Sequence, residues 1–325
     1  MIDNKMLPLF LAPFLVAAPA HSETYPEFLA GLKQEARSIV GMNDEALNSA
    51  FSQIKLFKKA SAGGAPQAQP EKLDDYFPFR VPESLVEQAR EQFKLHHESL
   101  LQIEKQFGVQ PRFVVALWGL RSEFGNRSAG YPALTVNASL AYDGDDKAFH
   151  REQVLAGLKA LARDGLAFDA FTANTKGLLG QTAFSAADYL AYATDGDGDG
   201  KKDIWQNTTD VFASIATLLV KNGWQAEATW GRQVRVPDGL DANLVGLTHS
   251  ESFAQWQKLG VRRYDGTDLP DRADMQVSLI MPEGPKGRQY LVYENYRVLS
   301  KLFASDFEAL AVTYLSERIK YPPIE

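Results

Sequence analysis

Two stretches of the chain place reactive side chains at spacings that matter for chemistry. The first, Val114 to Gly125 (VVALWGLRSEFG), is an apolar run that ends in charge, with Arg121 and Glu123 where a buried helix would meet a cleft. An ion in that position is costly unless it is paired or used. A glutamate there could exchange a proton, whereas an arginine keeps its proton at any working pH and could instead grip a carboxylate. The second stretch is Asp195-Gly-Asp197-Gly-Asp199-Gly200-Lys201-Lys202-Asp203-Ile204. Side-chain oxygens fall at loop positions 1, 3, 5 and 9, a glycine stands at position 6, and the Lys201 carbonyl falls at position 7, the spacing of an EF-hand calcium loop. Position 12 is Gln206 rather than a bidentate glutamate, so a longer loop closing on Asp210 is the expected variant. A calcium ion, or a sodium ion, held by Asp195, Asp197, Asp199, Lys201, Asp203 and Asp210 would be structural, because loop oxygens wrapped around it leave no open position for substrate. His96 and His97 lack a carboxylate-rich neighbour at ligand spacing and are expected on a solvated helix surface.

The elements that must position these residues are mostly helical. Tyr25 to about Lys59 reads as two amphipathic helices, the first closed by Gly41 and the second capped by Asn43-Asp44-Glu45. Ser61 to Pro70 (SAGGAPQAQP) has no apolar face and reads as a flexible connector. Tyr76-Phe77-Pro78-Phe79 is an aromatic anchor strip, and Pro82 starts a helix whose apolar positions run from Leu85 through Phe93 to Phe107. Pro111 opens the core helix, and helical patterns return at Leu134 to Ala141, Ala148 to Arg163, Asp210 to Asn222 and Phe303 to Lys320. Short β-like pieces at Gln233 to Val236, Val277 to Met281 and Gln289 to Tyr293 lie between them, with turns at Asp265-Gly266 and Glu283-Gly284.

At 325 residues the chain can bury a large core without the help of disulfides, and it has no cysteine. A net charge of -7 argues against a nucleic-acid partner, since a polyphosphate needs a basic surface. Residues 1–22 carry Lys5, an apolar run from Leu7 to Ala18, and the small-residue sites around Ala18 and Ala20. That run is short for a membrane span and reads as a cleavable secretory signal, and the lack of a cysteine after it excludes a lipoprotein anchor.

Several motifs together resemble the membrane-bound lytic murein transglycosylase B family. They are Ala116-Leu117-Trp118-Gly119-Leu120 leading to Phe124-Gly125, Leu140-Ala141-Tyr142, Gly177-x-x-Gly180-Gln181-Thr182-x-Phe184, and the acidic loop ending in Asp203-Ile204-Trp205. Gly223-Trp224, Trp256, Gly260-Val261-Arg262-Arg263-x-Asp265-Gly266 and Asn295-Tyr296 continue the match in order, so that it spans about Tyr25 to Ile319. The resemblance implies an α+β, mainly α fold: a lysozyme-like helical core with a small β-containing subdomain and an EF-hand-like loop. It divides the chain into a signal (1–22), N-terminal helices and connector (23–70) and a transglycosylase-B-like domain (71–325), whose β-containing part is about 231–294. It also implies a periplasmic protein whose partner is peptidoglycan, with no span of the membrane once the signal is removed.

The family's reaction cuts the bond between N-acetylmuramic acid and N-acetylglucosamine without water. One buried glutamic acid protonates the leaving oxygen and then, as carboxylate, takes the C6 hydroxyl proton while the 1,6-anhydro ring closes. In the family motif (Gly, apolar, Glu, Ser or Thr, any, aromatic, Gly) that acid falls at Arg121. Glu123 lies two residues on, a rotation of about 200° along a helix, and would reach the cleft only if the helix broke after Leu120. Other family cleft positions are altered too. Gly-Ser-Trp-Ala-Gly is Ala173-Asn174-Thr175-Lys176-Gly177, and in Gln-x-Gln-Phe-Met-Pro the first glutamine is Gln181, the second is Ala183 and Met-Pro is Ser185-Ala186. Asn-Tyr on the helix after the metal loop is Thr217-Leu218, Tyr-Asn before the last helix is Leu302-Phe303, and an Arg-Arg is Asp145-Asp146. The resemblance therefore implies a family scaffold without its acid, in which Arg121 is either neutralised by Asp145, Asp146 or Glu123 or free to hold a carboxylate. A peptidoglycan-binding module, an interaction subunit for an envelope protein, and an active transglycosylase using Glu123 all follow as readings to be separated.

Overall fold

The computed structural model describes residues 23–58, 68–127 and 130–320. The segment expected to be a signal, 1–22, and most of the expected connector lie outside the described residues. The helices follow in chain order: α1 Tyr25–Ile39, α2 Asp44–Gln53, α3 Leu73–Arg80, α4 Glu83–Leu95, α5 His97–Phe107 and α6 Pro111–Ser122. Then come β1 Tyr131–Pro132, α7 Ala133–Asp143, α8 Lys147–Asp164, β2 Thr172–Ala173, α9 Ala186–Tyr192 and α10 Thr208–Lys221. The β-rich part holds β3 Gly231–Arg235, β4 Glu251–Ser252, α11 Phe253–Lys258, β5 Arg262–Arg263, β6 Gln276–Ile280 and β7 Gln289–Val292, before α12 Glu294–Ser300 and α13 Asp306–Lys320 close the chain.

Helix α6 is the axis of the first core. Pro111 at its first turn costs no hydrogen bond, and ten of its twelve residues are buried, leaving only Arg112 and Arg121 outside that set. Around it pack Tyr76 and Phe77 of α3, Val86 of α4, Phe212 and Ile215 of α10, and Leu310 and Leu315 of α13. A second core joins α1 and α2 to α7, α8 and α9 through Phe28, Leu32, Leu47, Leu134, Leu158 and Tyr189. Asn43 caps α2 as its sequence predicts, its side chain accepting the Ala46 N–H at 2.8 Å. The third core is the antiparallel five-stranded sheet, order β4-β6-β7-β3-β5, which buries Trp256, Val277 and Leu291 on α11.

Two sequence expectations change. The helix predicted from Pro82 to Phe107 breaks at His96, whose φ of -102° and ψ of 19° end α4 and begin α5. His97 is exposed as expected, but His96 is half-buried, its ring packing edge-on against Trp118 at 5.7 Å and Phe212 at 5.3 Å. Apolar periodicity could not reveal this, because the side chain that stops the helix is held by partners distant in sequence. Burial holds His96 below its ordinary 6.5, and burial likewise lowers His150, with Asp146 partly opposing it. His150 Nδ1 shares a hydrogen bond of 2.8 Å with the buried Asn137. For both groups the unfolded chain takes up protons first, so their contribution is complete above 6.5 and is lost as pH falls below that value. Urea midpoints should therefore fall between pH 7.5 and pH 5, and the double variant His96→Gln, His150→Gln should flatten that part of the profile.

Candidate cleft and metal loop

The end of α6 is shaped by three small or left-handed positions. Gly119 lets the Phe124 ring fold back onto the helix, where any side chain at 119 would collide with it. Glu123 and Phe124 both adopt positive φ, 49° and 57°, and Gly125 follows at 89° with its N–H bonded to Ser122 Oγ at 3.0 Å. The helix thus ends after Ser122, two residues beyond the break that would have carried Glu123 inward. Glu123 instead pairs with Arg127 at 2.5 Å, its side chain 39% exposed.

Arg121 remains on the helix and has little to compensate it. Its Nε is buried without a hydrogen-bond partner, and Nη1 donates to the Thr182 carbonyl at 3.3 Å. The Phe303 ring centre is 5.9 Å from the guanidinium carbon. Burial pushes the guanidinium below its ordinary value, and the carboxylate that opposes this is Asp188. The expected partners are elsewhere: Asp146 caps α8 through the Phe149 N–H, Asp145 is exposed, and Glu123 is taken by Arg127. No ion pair reaches Arg121 among the described residues, so the expected ion-pair network is absent. Asp188 went unnoticed in the sequence although Ser185-Ala-Ala-Asp188 is a capping box, formed here at the start of α9.

The other cleft positions divide by role. Gln181 ties the site together, accepting from Trp118 Nε1 at 3.0 Å and donating to the Trp205 carbonyl at 2.8 Å. Asn174 organises a turn, its Oδ1 accepting from Lys176 N–H and Leu178 N–H, while the Lys176 side chain is exposed. Ala183 holds a left-handed φ of 49°, a strained conformation for a residue with a Cβ. Leu218 is buried, Leu302 and Phe303 pack partly buried against the first core, and of the three Phe303 is the one placed beside Arg121. Gly180 is required: a side chain there would meet the Ile204 carbonyl at 2.5 Å, which holds the Gly177–Phe184 segment against the metal loop.

In that loop, one carboxylate oxygen each from Asp195, Asp197 and Asp210 lie within 4.8 Å of one another. Asp210 is fully buried at the start of α10 and accepts the Gly196 N–H and Asp203 N–H, both at 2.7 Å. It closes the loop in space where Gln206, exposed, does not. Asp199 and Asp203 are not in that converging set; Asp199 accepts the Lys201 N–H, and Asp203 accepts the N–H groups of Trp205 and Gln206. Burial raises the Asp210 carboxyl, and the neighbouring Asp197 and Asp195 charges raise it further. Three convergent hard oxygens with unrelieved like charge fit a calcium ion, which Asp195, Asp197 and Asp210 would hold.

A helical core around one buried helix, a small antiparallel sheet and an acidic loop define a lysozyme-like transglycosylase scaffold. Residues 24–317 match the transglycosylase SLT domain, and the chain belongs to that family. It is similar to SltB3 from Pseudomonas aeruginosa, solved in complex with NAG-anhNAM-pentapeptide: 30% identity, TM-score 0.84, over 92% of this chain and 80% of that one. The Escherichia coli lytic transglycosylase Slt35 in complex with calcium shares the fold, with TM-score 0.73 at 18% identity over 90% of this chain and 92% of that one. Membrane-bound lytic murein transglycosylase B of Escherichia coli K12 is 24% identical over 217 residues, 66% of this chain. The chain spans 58% of that protein's length. Among the described residues no helix is long and apolar enough to cross a membrane.

Proposed function

We propose that this protein is a periplasmic, peptidoglycan-binding member of the lytic transglycosylase family that no longer cleaves the glycan. The reading rests on Arg121: by the motif resemblance a guanidinium takes the place of the family acid, and Glu123, the carboxylate two residues on in the sequence, is paired with Arg127. A group that keeps its proton cannot protonate the leaving oxygen or accept the C6 hydroxyl proton. What Arg121 can do is bind. Its side chain is half-buried and forms no ion pair among the described residues, and a carboxylate of a stem peptide or lactyl group would supply a partner of matching charge. The similarity to a structure holding a glycan-pentapeptide supports a ligand of that class. Residues 1–22 act as a secretory signal, residues 23–70 as a helical and connecting segment, and residues 71–325 as the binding domain, with 231–294 as its β-containing part. The loop at Asp195, Asp197 and Asp210 binds calcium as a structural ion.

Purified protein incubated with sacculi is expected to release no 1,6-anhydro-muropeptides by mass spectrometry. Products that vanish in Glu123→Gln would overturn the loss of activity and make Glu123 the acid. The same protein should co-sediment with sacculi, and Arg121→Glu should reduce the bound fraction at least about tenfold, since it replaces an attractive charge with a repelling one. No co-sedimentation would point to an envelope protein as the partner instead.

A further inference from the structure

A second cavity, of about 690 Å³, opens between the end of α8, β2 and the metal loop, away from Arg121. Its volume suits a monosaccharide with room for a substituent. Tyr189 and Trp205 line it, and Lys201, Lys202 and Gln206 stand on the loop side. The indole is fixed by its edge: Trp205 Nε1 donates to the Thr172 carbonyl at 2.8 Å. Its ring neighbours Phe171 and Tyr189 meet it at 62° and 44°, so neither lies flat on its face. A rigid aromatic wall of this kind in a polar cavity is a surface for the C–H face of a pyranose ring.

The charges in the cavity decide which pyranose. Asp164 is already engaged by Arg163, through Nε at 2.9 Å and Nη2 at 2.6 Å, and Arg163 Nη1 is spent on the Leu190 carbonyl. Lys202 Nζ reaches Asp164 only at 3.8 Å. Lys201 is exposed and makes no side-chain ion pair among the described residues. Asp203 also lines the cavity and accepts the Trp205 and Gln206 N–H groups, so both carboxylates of the wall are engaged. Two ammonium groups on adjacent residues therefore call for an anionic group on the ligand.

We propose that this cavity is a second glycan site, specific for an amino sugar that carries a carboxylate, with the ring on Trp205 and the carboxylate between Lys201 and Lys202. The choice of sugar rests on the peptidoglycan reading above, and the site itself does not use Arg121. Binding at two places would let the protein hold one glycan strand along its length, or two strands at once, with avidity that neither site has alone.

The probe is N-acetylmuramic acid, compared with N-acetylglucosamine, which lacks the lactyl carboxylate, in calcium-containing buffer. Titration is followed by the tryptophan indole N–H resonances, with Trp205→Phe assigning one signal among the five tryptophans. The muramic acid should shift the Trp205 signal saturably, N-acetylglucosamine should bind about tenfold more weakly, and Lys201→Glu with Lys202→Glu should erase that preference. Arg121→Glu should bind the muramic acid at Trp205 as the parent does, whether or not it still sediments with sacculi. A Trp205 signal that does not move, equal titration by both sugars, undiminished preference in the lysine double variant, or loss of the shift in Arg121→Glu would each overturn the site. Failure of sacculus binding with an intact Trp205 shift would instead sink the cleft reading alone. A thermal melt of each variant confirms that it is folded, and Lys201→Gln with Lys202→Gln repeats the test without charge reversal.

Discussion

Asp210→Ala is expected to remove about 3–5 kcal/mol of stability and to abolish any response to calcium. Its carboxylate is fully buried and does two jobs with two oxygens: Oδ1 holds the Gly196 N–H and Oδ2 the Asp203 N–H. Those two donors lie at opposite ends of the acidic loop, so one side chain ties the loop shut against α10. Truncation leaves both part-buried donors without this acceptor, at roughly 1–3 kcal/mol each. It also deletes the third oxygen of the convergent set with Asp195 and Asp197. Asp210→Asn keeps one acceptor and should lose less stability, but it too should lose the metal response, because an amide contributes no charge to the site. For the parent, calcium at a hundred times its dissociation constant should add about 2.7 kcal/mol by mass action. Urea unfolding in calcium and in EDTA separates the terms. A parent midpoint that ignores calcium, with Asp210→Ala still strongly destabilised, would leave a loop held by hydrogen bonds alone.

Much of this arrangement was legible from residue order, and the limits have physical causes. The convergence of Asp195 and Asp197 with Asp210 was legible in their spacing, because a tight oxygen-lined turn admits few patterns, whereas the turning of Asp199 and Asp203 to backbone N–H groups was not. The burial of Val114 to Leu120 was legible for a similar reason: ten buried residues in a helix of twelve leave no room for a polar face. The interruption at His96 was not, since Trp118 and Phe212 hold that ring from other helices. The surroundings of Arg121 were not legible either. Asp145, Asp146 and Glu123 were the acids near it in the motif order, yet Asp188 is the one that acts on it, brought there by the turn through Gly180 and the left-handed Ala183. Charge pairing depends on such three-dimensional routes, and a sequence shows only the charges. The cavity beside Trp205 was equally hidden, because its wall and its lysines belong to segments whose meeting is decided by the folded loop.

Arg121→Met should raise stability by about 1–3 kcal/mol, whereas Arg112→Met on the same helix should lower it by a similar amount. The two arginines are the only residues of α6 outside its buried set, and their surroundings are opposite. Arg112 pairs with Glu317 at 2.5 Å, donates to Thr229 Oγ1 at 3.1 Å and lies over the Phe113 ring at 4.4 Å. Glu317 also accepts from Trp230 Nε1, so removing Arg112 unpairs a carboxylate inside a network. Arg121 has one long bond to a carbonyl, an aromatic ring at the edge of useful range and an orphaned Nε. Methionine fills a similar volume, is compatible with the neighbouring Phe303 ring, and leaves no donor unsatisfied. A cation that costs stability where a thioether would not is the signature of a residue held for binding rather than for folding. Guanidinium midpoints for both variants test the sign, and sacculus co-sedimentation tests the cause: Arg121→Met should gain stability while losing most of its bound fraction. If Arg121→Met is destabilised by more than about 2 kcal/mol, the guanidinium is part of the scaffold and the cleft has been retired rather than converted to a ligand site.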